Sequence, residues 1–259
     1  MSYKPILIVA GEPNSVFLEI FFKLIEKNKF KSPIILIASK KLLRLQMHEL
    51  NFIKKIKILK IKNLKKYKLN NKSINLIDVE YNTNQAFEKI TSKSNQYIKK
   101  SFNIAFKIIK KNITNKLING PISKKKFLNK KFLGITEYIS DKFFIKKKAM
   151  LIYNKNLSVC PITTHLPLKL VTKNINKEMI KEKVELIDNF YKDRFNIKPN
   201  IGILGLNPHC ESTDNFNEDE KIIKPVIEDL SKLRFKVSGP YPADTIFLKN
   251  NRKKFDVII

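Results

Sequence analysis

The chain holds three histidines, and two of them sit where metal chemistry is feasible. His165 lies in Pro161-Ile162-Thr163-Thr164-His165-Leu166-Pro167-Leu168 and His209 in Gly205-Leu206-Asn207-Pro208-His209. Each loop is braced by proline and follows a short apolar run. Neutral imidazoles are ligands suited to a divalent transition-metal ion, and two loops leaving neighbouring strands can converge on one ion. No His-x-x-x-His spacing supports ligation, so spacing alone favours ordinary loop histidines held by hydrogen bonds. His48 belongs to the helical pattern of residues 42–50 and reads as a surface or capping residue. A rigid loop, Ser238-Gly239-Pro240-Tyr241-Pro242-Ala243-Asp244-Thr245, ends in a carboxylate. Asp244 can serve a site there or simply cap the following turn, and its residue type leaves both readings open. Two further loops, Asn119-Gly120-Pro121-Ile122-Ser123-Lys124 and Gly134-Ile135-Thr136-Glu137, complete the set of polar segments.

These loops need a scaffold that brings strand ends together. Short apolar runs alternate with stretches of helical periodicity, the pattern of an α/β protein, in which ligands gather at the carboxyl ends of strands. Residues 5–10, 33–38 and 74–79 read as strands. A helix after Gly11-Glu12-Pro13-Asn14-Ser15 is expected to bury Phe17, Ile20, Phe21, Leu24 and Ile25. Residues 84–111 read as one long helix. Residues 149–153 and 157–162 flank Asn154-Lys155-Asn156 and read as a hairpin, which would bring antiparallel pairing into a mixed sheet. Helices are expected over 176–195 and 218–233, and strands over 200–206 and 255–259. No linker or repeat marks a domain boundary. The whole chain is read as one family unit, with a first lobe over 1–118 and a second over 119–259.

Composition narrows the function classes. A content of 43% hydrophobic residues supports a large core. No stretch has the form of a signal peptide or the roughly 18 apolar residues of a bilayer span, so the expectation is a cytoplasmic protein without membrane association. Cys160 and Cys210 lack CxxC spacing and read as free thiols. The net charge of +29 raises the possibility of nucleic-acid binding. Lysine is nevertheless spread over every segment, and only Arg44, Arg194, Arg234 and Arg252 accompany it, whereas arginine is the preferred base reader. No specific nucleic-acid partner is expected; attraction of anionic, phosphorylated small molecules is the milder consequence.

In order, the motifs Asn-Gly-Pro-Ile-Ser-Lys, Gly-x-Thr-Glu, Thr-Thr-His-x-Pro-Leu, Gly-Leu-Asn-Pro-His and Gly-Pro-x-Pro-Ala-Asp-Thr-x-Phe resemble those of the 4-hydroxythreonine-4-phosphate dehydrogenases of vitamin B6 biosynthesis. The resemblance runs from Gly11-Glu12-Pro13 to Phe255-Asp256. It implies a two-lobed fold like the isocitrate and isopropylmalate dehydrogenases, a homodimer, NAD as oxidant, and a divalent cation such as zinc, magnesium or cobalt. It also implies that NAD binds without a Gly-x-Gly-x-x-Gly motif, which is absent here. By the same resemblance His165 and His209 match two of the family's three metal ligands, Thr136 a substrate-binding threonine, and Asp244 a proton acceptor or partner of the site. The implied reaction is oxidation of 4-phosphooxy-L-threonine to a 3-oxo acid, which loses carbon dioxide to give 3-amino-2-oxopropyl phosphate.

The chain departs from the family pattern at several points. Ile135 replaces the histidine of Gly-His-Thr-Glu and cannot donate a hydrogen bond, so a weaker hold on the phosphorylated end is expected. That change keeps a related substrate in view, a threonate or erythronate 4-phosphate. Residues 210–217 replace a glycine-rich stretch, and the loop at 14–18 lacks the family's glycines and proline. The family continues beyond the strand matching residues 255–259 to a Tyr-His-Asp-Gln segment carrying the third metal histidine. The expectation is therefore a C-terminally truncated unit, inactive alone. The residues are also compatible with a non-catalytic remnant that keeps the fold, or with a basic nucleic-acid-binding protein.

Overall fold

The computed structural model describes residues 3–27, 29–128, 131–212 and 217–259. It divides into two compact units, Met1–Tyr138 and Ile139–Ile259. Each contains one sheet in which all pairings between strands are parallel, as the α/β reading requires.

In the first unit, β1 (Ile6–Val9), β2 (Ile34–Ala38), β3 (Ile56–Ile58), β4 (Ile74–Asp78) and β5 (Leu117–Asn119) lie in the order β3-β4-β2-β1-β5. The central β2 is buried at all five positions. Parallel strands covered on both faces are buried in this way, which is why they read as unbroken apolar runs. Helices α1 (Phe17–Lys27) and α2 (Lys40–Glu49) cover one face, where Leu18, Phe21, Phe22 and Leu43 meet Ile8, Ala10, Leu36, Ala38, Ile74 and Leu76. Helix α3 (Asn95–Lys110) buries Ile98, Phe102, Ala105 and Ile108 and packs on β1 and β2.

Two helical expectations need correction. Ile20 and Leu24 are 56% and 39% exposed, and α1 buries Leu18, Phe21 and Phe22 instead. Its charged residues Glu19, Lys23, Glu26 and Lys27 share one face, but the apolar arc opposite them is wider than the face the sheet covers, so periodicity does not say which part of it lies innermost. The long helix expected from residue 84 starts only at Asn95, behind a short 3-10 turn, Ser92–Ser94. Upstream, Thr83 Oγ1 accepts from Gln85 N and donates to Glu88, and Thr91 Oγ1 accepts from Lys93 N. Such local side-chain bonds offer the backbone an alternative to the helix.

In the second unit, β6 (Ser158–Val159), β7 (Ile201–Leu204), β8 (Val237–Tyr241) and β9 (Val257–Ile258) lie in the order β6-β9-β7-β8. The expected hairpin is reduced to one antiparallel bridge, Ile152 with Val159, on the edge of β6 opposite its pairing with β9. Helix α4 (Ile135–Lys142) contains the break between the units; α5 (Val171–Asn174), α6 (Lys177–Phe195), α7 (Lys224–Lys232) and α8 (Lys249–Arg252) follow. Asn176 caps α6 by accepting from Met179 N at 2.8 Å, and left-handed Asn196 ends it. Ile180, Val184 and Ile187 of α6 and Val226 and Leu230 of α7 share a core with Ile201, Ile203 and Val257. A smaller cluster joins Ile246, Phe255 and Ile258 to Leu204 and Tyr241. Among the described residues no helix is long and apolar enough to cross a membrane.

Candidate functional site

The loops that follow β6, β7 and β8 leave one edge of the second unit's sheet, since the three strands run parallel. His165 stands in the first loop, His209 in the second and Asp244 in the third, and all three are exposed. One strand, β9, separates β6 from β7, so the two histidine-bearing loops start about 10 Å apart, twice the inter-strand spacing.

Both histidines sit in the left-handed region, His165 at φ 60° and His209 at φ 57°. Residues other than glycine are uncommon there, and they persist where surrounding structure fixes them, often at functional sites. Cys210 continues the left-handed turn at φ 64°.

The turn that presents His209 is built from below. Gly205 N donates to Tyr241 O at 2.9 Å, tying the end of β7 to β8. Asp219, fully buried, accepts from Leu206 N at 2.8 Å, from Asn207 N at 3.0 Å and from Asn207 Nδ2 at 2.9 Å. The Cys210 side chain folds beneath Gly205, where a Cβ would come within 2.6 Å of its Sγ. Burial pushes the Cys210 thiol above its ordinary pKa, and the carboxylates of Asp219 and, more weakly, Asp244 push the same way. Burial also raises the Cys160 thiol, to about 11, against the pull of Lys183. Both thiols are held protonated near neutral pH, in keeping with the reading of two free cysteines.

Asp244 occupies the turn after β8, where Ile246 N donates to Pro242 O at 3.1 Å. The next helix, α8, begins after Leu248, so Asp244 does not cap a helix. Sequence reasoning missed Asp219. Its only linear signal is an acidic residue at the head of an expected helix, and its bonds reach amides a dozen residues upstream.

Thr136 is placed by the first unit, exposed in the first turn of α4, with half-buried Ile135 ahead of it. Tyr138 anchors the helix start: Tyr138 N donates to Gly134 O at 3.2 Å, and its ring meets Phe102, Phe127 and Phe132 at centroid distances of 5.6, 5.4 and 5.5 Å. In that unit the loops after β1 and β5 are sewn together, with Glu12 N donating to Pro121 O at 2.8 Å and Gly120 N to Val9 O at 2.7 Å. A Cβ on Gly120 would stand 2.1 Å from Ala10 O, so this crossing admits only glycine. His48 is exposed on α2 in the same unit.

Among the described residues no three His, Cys, Asp or Glu side chains gather closely enough to hold a metal ion. The two imidazoles at the second unit's sheet edge suit a divalent transition metal in kind. Residues 213–216, within the stretch that replaces the family's glycine-rich segment, lie outside the described residues.

A family model described as pyridoxal phosphate biosynthetic protein PdxA matches residues 29–259. A 4-hydroxythreonine-4-phosphate dehydrogenase of Sulfurihydrogenibium sp. (strain YO3AOP1) is 34% identical over 261 aligned residues, covering 97% of this chain and 78% of the relative. The enzyme of the same name from Aquifex aeolicus (strain VF5) is 30% identical, covering 99% and 79%. Among solved structures, 4-hydroxythreonine-4-phosphate dehydrogenase from Klebsiella pneumoniae superposes with a TM-score of 0.84 at 21% identity, over 99% of this chain and 80% of that one, a likeness of fold.

Proposed function

The chain belongs to the pyridoxal phosphate biosynthetic protein PdxA family, and on that premise we propose that it is a dehydrogenase of pyridoxal phosphate biosynthesis, oxidising 4-phosphooxy-L-threonine with NAD and a divalent metal ion. The product is a 3-oxo acid that decarboxylates to 3-amino-2-oxopropyl phosphate. The observation that most supports this reading is the set of three parallel strands whose loops carry His165, His209 and Asp244 from one sheet edge, with both histidines in left-handed backbone.

His165 and His209 would hold the metal, whose chemistry when bound would be to acidify the substrate hydroxyl, with NAD as the hydride acceptor. Asp244 accepts the hydroxyl proton, its exposed carboxylate standing free of any helix cap. Thr136 donates its hydroxyl proton to a phosphate or carboxylate oxygen of the substrate. The charge of +29 favours encounter with a phosphorylated anion. The working form is a homodimer in the cytoplasm.

Ile135 favours a second substrate for the same chemistry, a threonate or erythronate 4-phosphate, because an isoleucine there removes a polar partner. The test is release of NADH, with magnesium, zinc or cobalt, from each of the two substrate types, by this chain and by a form lengthened through any downstream reading frame. The expected result is turnover of 4-phosphooxy-L-threonine in at least one of the two forms, abolished in His165→Ala and His209→Ala and lowered about 10²-fold or more in Asp244→Asn. NADH release from the sugar acid alone moves the assignment to the second substrate, and release from neither removes the dehydrogenase reading.

A further inference from the structure

Resting on the reading of His209 as a metal ligand, we propose that Asp219 is a positioning residue for it: its buried carboxylate fixes the Gly205–Cys210 turn in the form that points His209 toward the ion. Both residues that donate to Asp219, Leu206 and Asn207, lie directly ahead of Pro208-His209. All three bonds therefore act on the segment that sets the direction of the histidine.

Asp219 opens a helical turn, Asp219–Ile223, that its own side chain does not cap. Asn217 Oδ1 accepts from Asp219 N at 2.9 Å and from Glu220 N at 3.4 Å, capping that turn and leaving the Asp219 carboxylate to face back toward β7. Glu218 adds a weaker contact, Asn207 Nδ2 to Glu218 Oε2 at 3.3 Å. Two consecutive left-handed residues that are not glycine, His209 and Cys210, need such fixing, because nothing in their own backbone preference keeps them there. An apolar side chain at 219 would leave two amides without their acceptor. An asparagine would accept at one atom only and turn an N–H₂ group toward another donor.

The experiment titrates Co²⁺ alone into the full chain and follows the visible absorption of the bound ion. Residues that orient a metal ligand typically alter affinity 10–100-fold, so Asp219→Asn is expected to weaken Co²⁺ binding about tenfold or more and to change the spectrum. Asn207→Ala, which removes one of the three bonds, is the gentler second variant and is expected to weaken binding severalfold. Val184→Ala, in the α6 core, serves as a destabilised control and is expected to bind like the unaltered chain. Amide exchange is the readout independent of metal: Asp219→Asn is expected to speed exchange across residues 204–210 while α6 stays protected. If the unaltered chain binds Co²⁺ through His209 and both Asp219→Asn and Asn207→Ala bind it equally well, the inference is overturned alone. If the unaltered chain binds no Co²⁺, or His209→Ala binds as well as it does, the metal reading falls and the inference with it.

Discussion

Replacing Gly205 by alanine sets two effects of known size against each other. Its φ is outside the left-handed region, which among the glycines is occupied only by Gly11 and Gly239. Alanine therefore meets no backbone penalty there, and by restricting the unfolded chain it would stabilise by about 0.4–1 kcal/mol. The space denies this gain. The new Cβ would stand 2.6 Å from Cys210 Sγ, 2.8 Å from Asp219 Oδ1 and 3.1 Å from Cys210 Cβ, whereas carbon contacts are relaxed at about 3.5–4.0 Å. Neither neighbour yields easily, since Asp219 is held by three hydrogen bonds and Cys210 is buried. Overpacking of this kind costs about 1–3 kcal/mol, so the net expectation is a loss of about 1–2 kcal/mol. Gly202→Ala is the internal comparison: its Cβ would first meet the Phe255 ring, at 3.1 Å, and a ring can tilt, so a smaller loss is expected. Gly205→Ala combined with Cys210→Ala should recover part of the loss by removing the sulfur contact while the Asp219 contact stays. The two units make whole-chain melting an unsafe measure; hydrogen exchange at rising urea, read on peptides of residues 139–259, isolates the relevant unit. A Gly205→Ala protein as stable as the parent would refute the reasoning.

Both thiols are expected to react slowly with a thiol reagent at pH 8 in the native chain and promptly after denaturation. Cys160 has a folded pKa of about 11, above the unfolded value of about 8.5; its contribution to stability is complete below the unfolded value and is lost as pH rises through about 11. The urea midpoint of the second unit should therefore fall more between pH 8 and 11 in the parent than in Cys160→Ala. Tyr191→Phe removes a hydroxyl that donates to Ser158 Oγ at 2.9 Å and should cost about 1 kcal/mol in urea unfolding, with no loss pointing to a compensating bond for Ser158. On α1, Ile20→Lys should stay within about 0.5 kcal/mol of the parent, while Phe21→Ala should cost about 3–5 kcal/mol; the reverse order would restore the helix face expected from periodicity.

The strands most legible in the sequence are those buried on both faces. β1, β2 and β4 are nearly unbroken runs of Ile, Leu and Val, and the apolar pattern places each within a residue or two of where it lies. The edge strands β3 and β5 span three residues each and are half exposed, so they leave no apolar run to read. Helix α6 has a capping asparagine at each end, and its limits are accordingly clear. The segment before α3 has helical periodicity without the commitment, because Thr83 and Thr91 bond to their own backbone neighbours. Ile20 shows the same limit on a smaller scale, since it lies at the margin of an apolar arc wider than the face the core covers.

The candidate site divides along the same physical line. Strand-end loops bearing histidine are a linear pattern, and the sequence points to His165, His209 and Asp244 through it. What sets their loops along one sheet is lateral strand order, which no local pattern encodes. β9 comes last in the chain yet lies between β6 and β7, held by Cys160 N donating to Ile258 O at 2.9 Å on one side and Ile259 N to Gly202 O at 2.8 Å on the other. The separation of the two histidine loops is thus set by residues about fifty positions beyond the second of them. Val257 and Ile258 are wholly buried, and the energy that holds the site's spacing comes from their packing and from those backbone bonds. Asp219 is hidden for the same reason: its carboxylate acts on amides, which every residue but proline possesses. Residue type can therefore reveal the groups suited to metal and proton chemistry, while the groups that aim them become visible only once the backbone is in place.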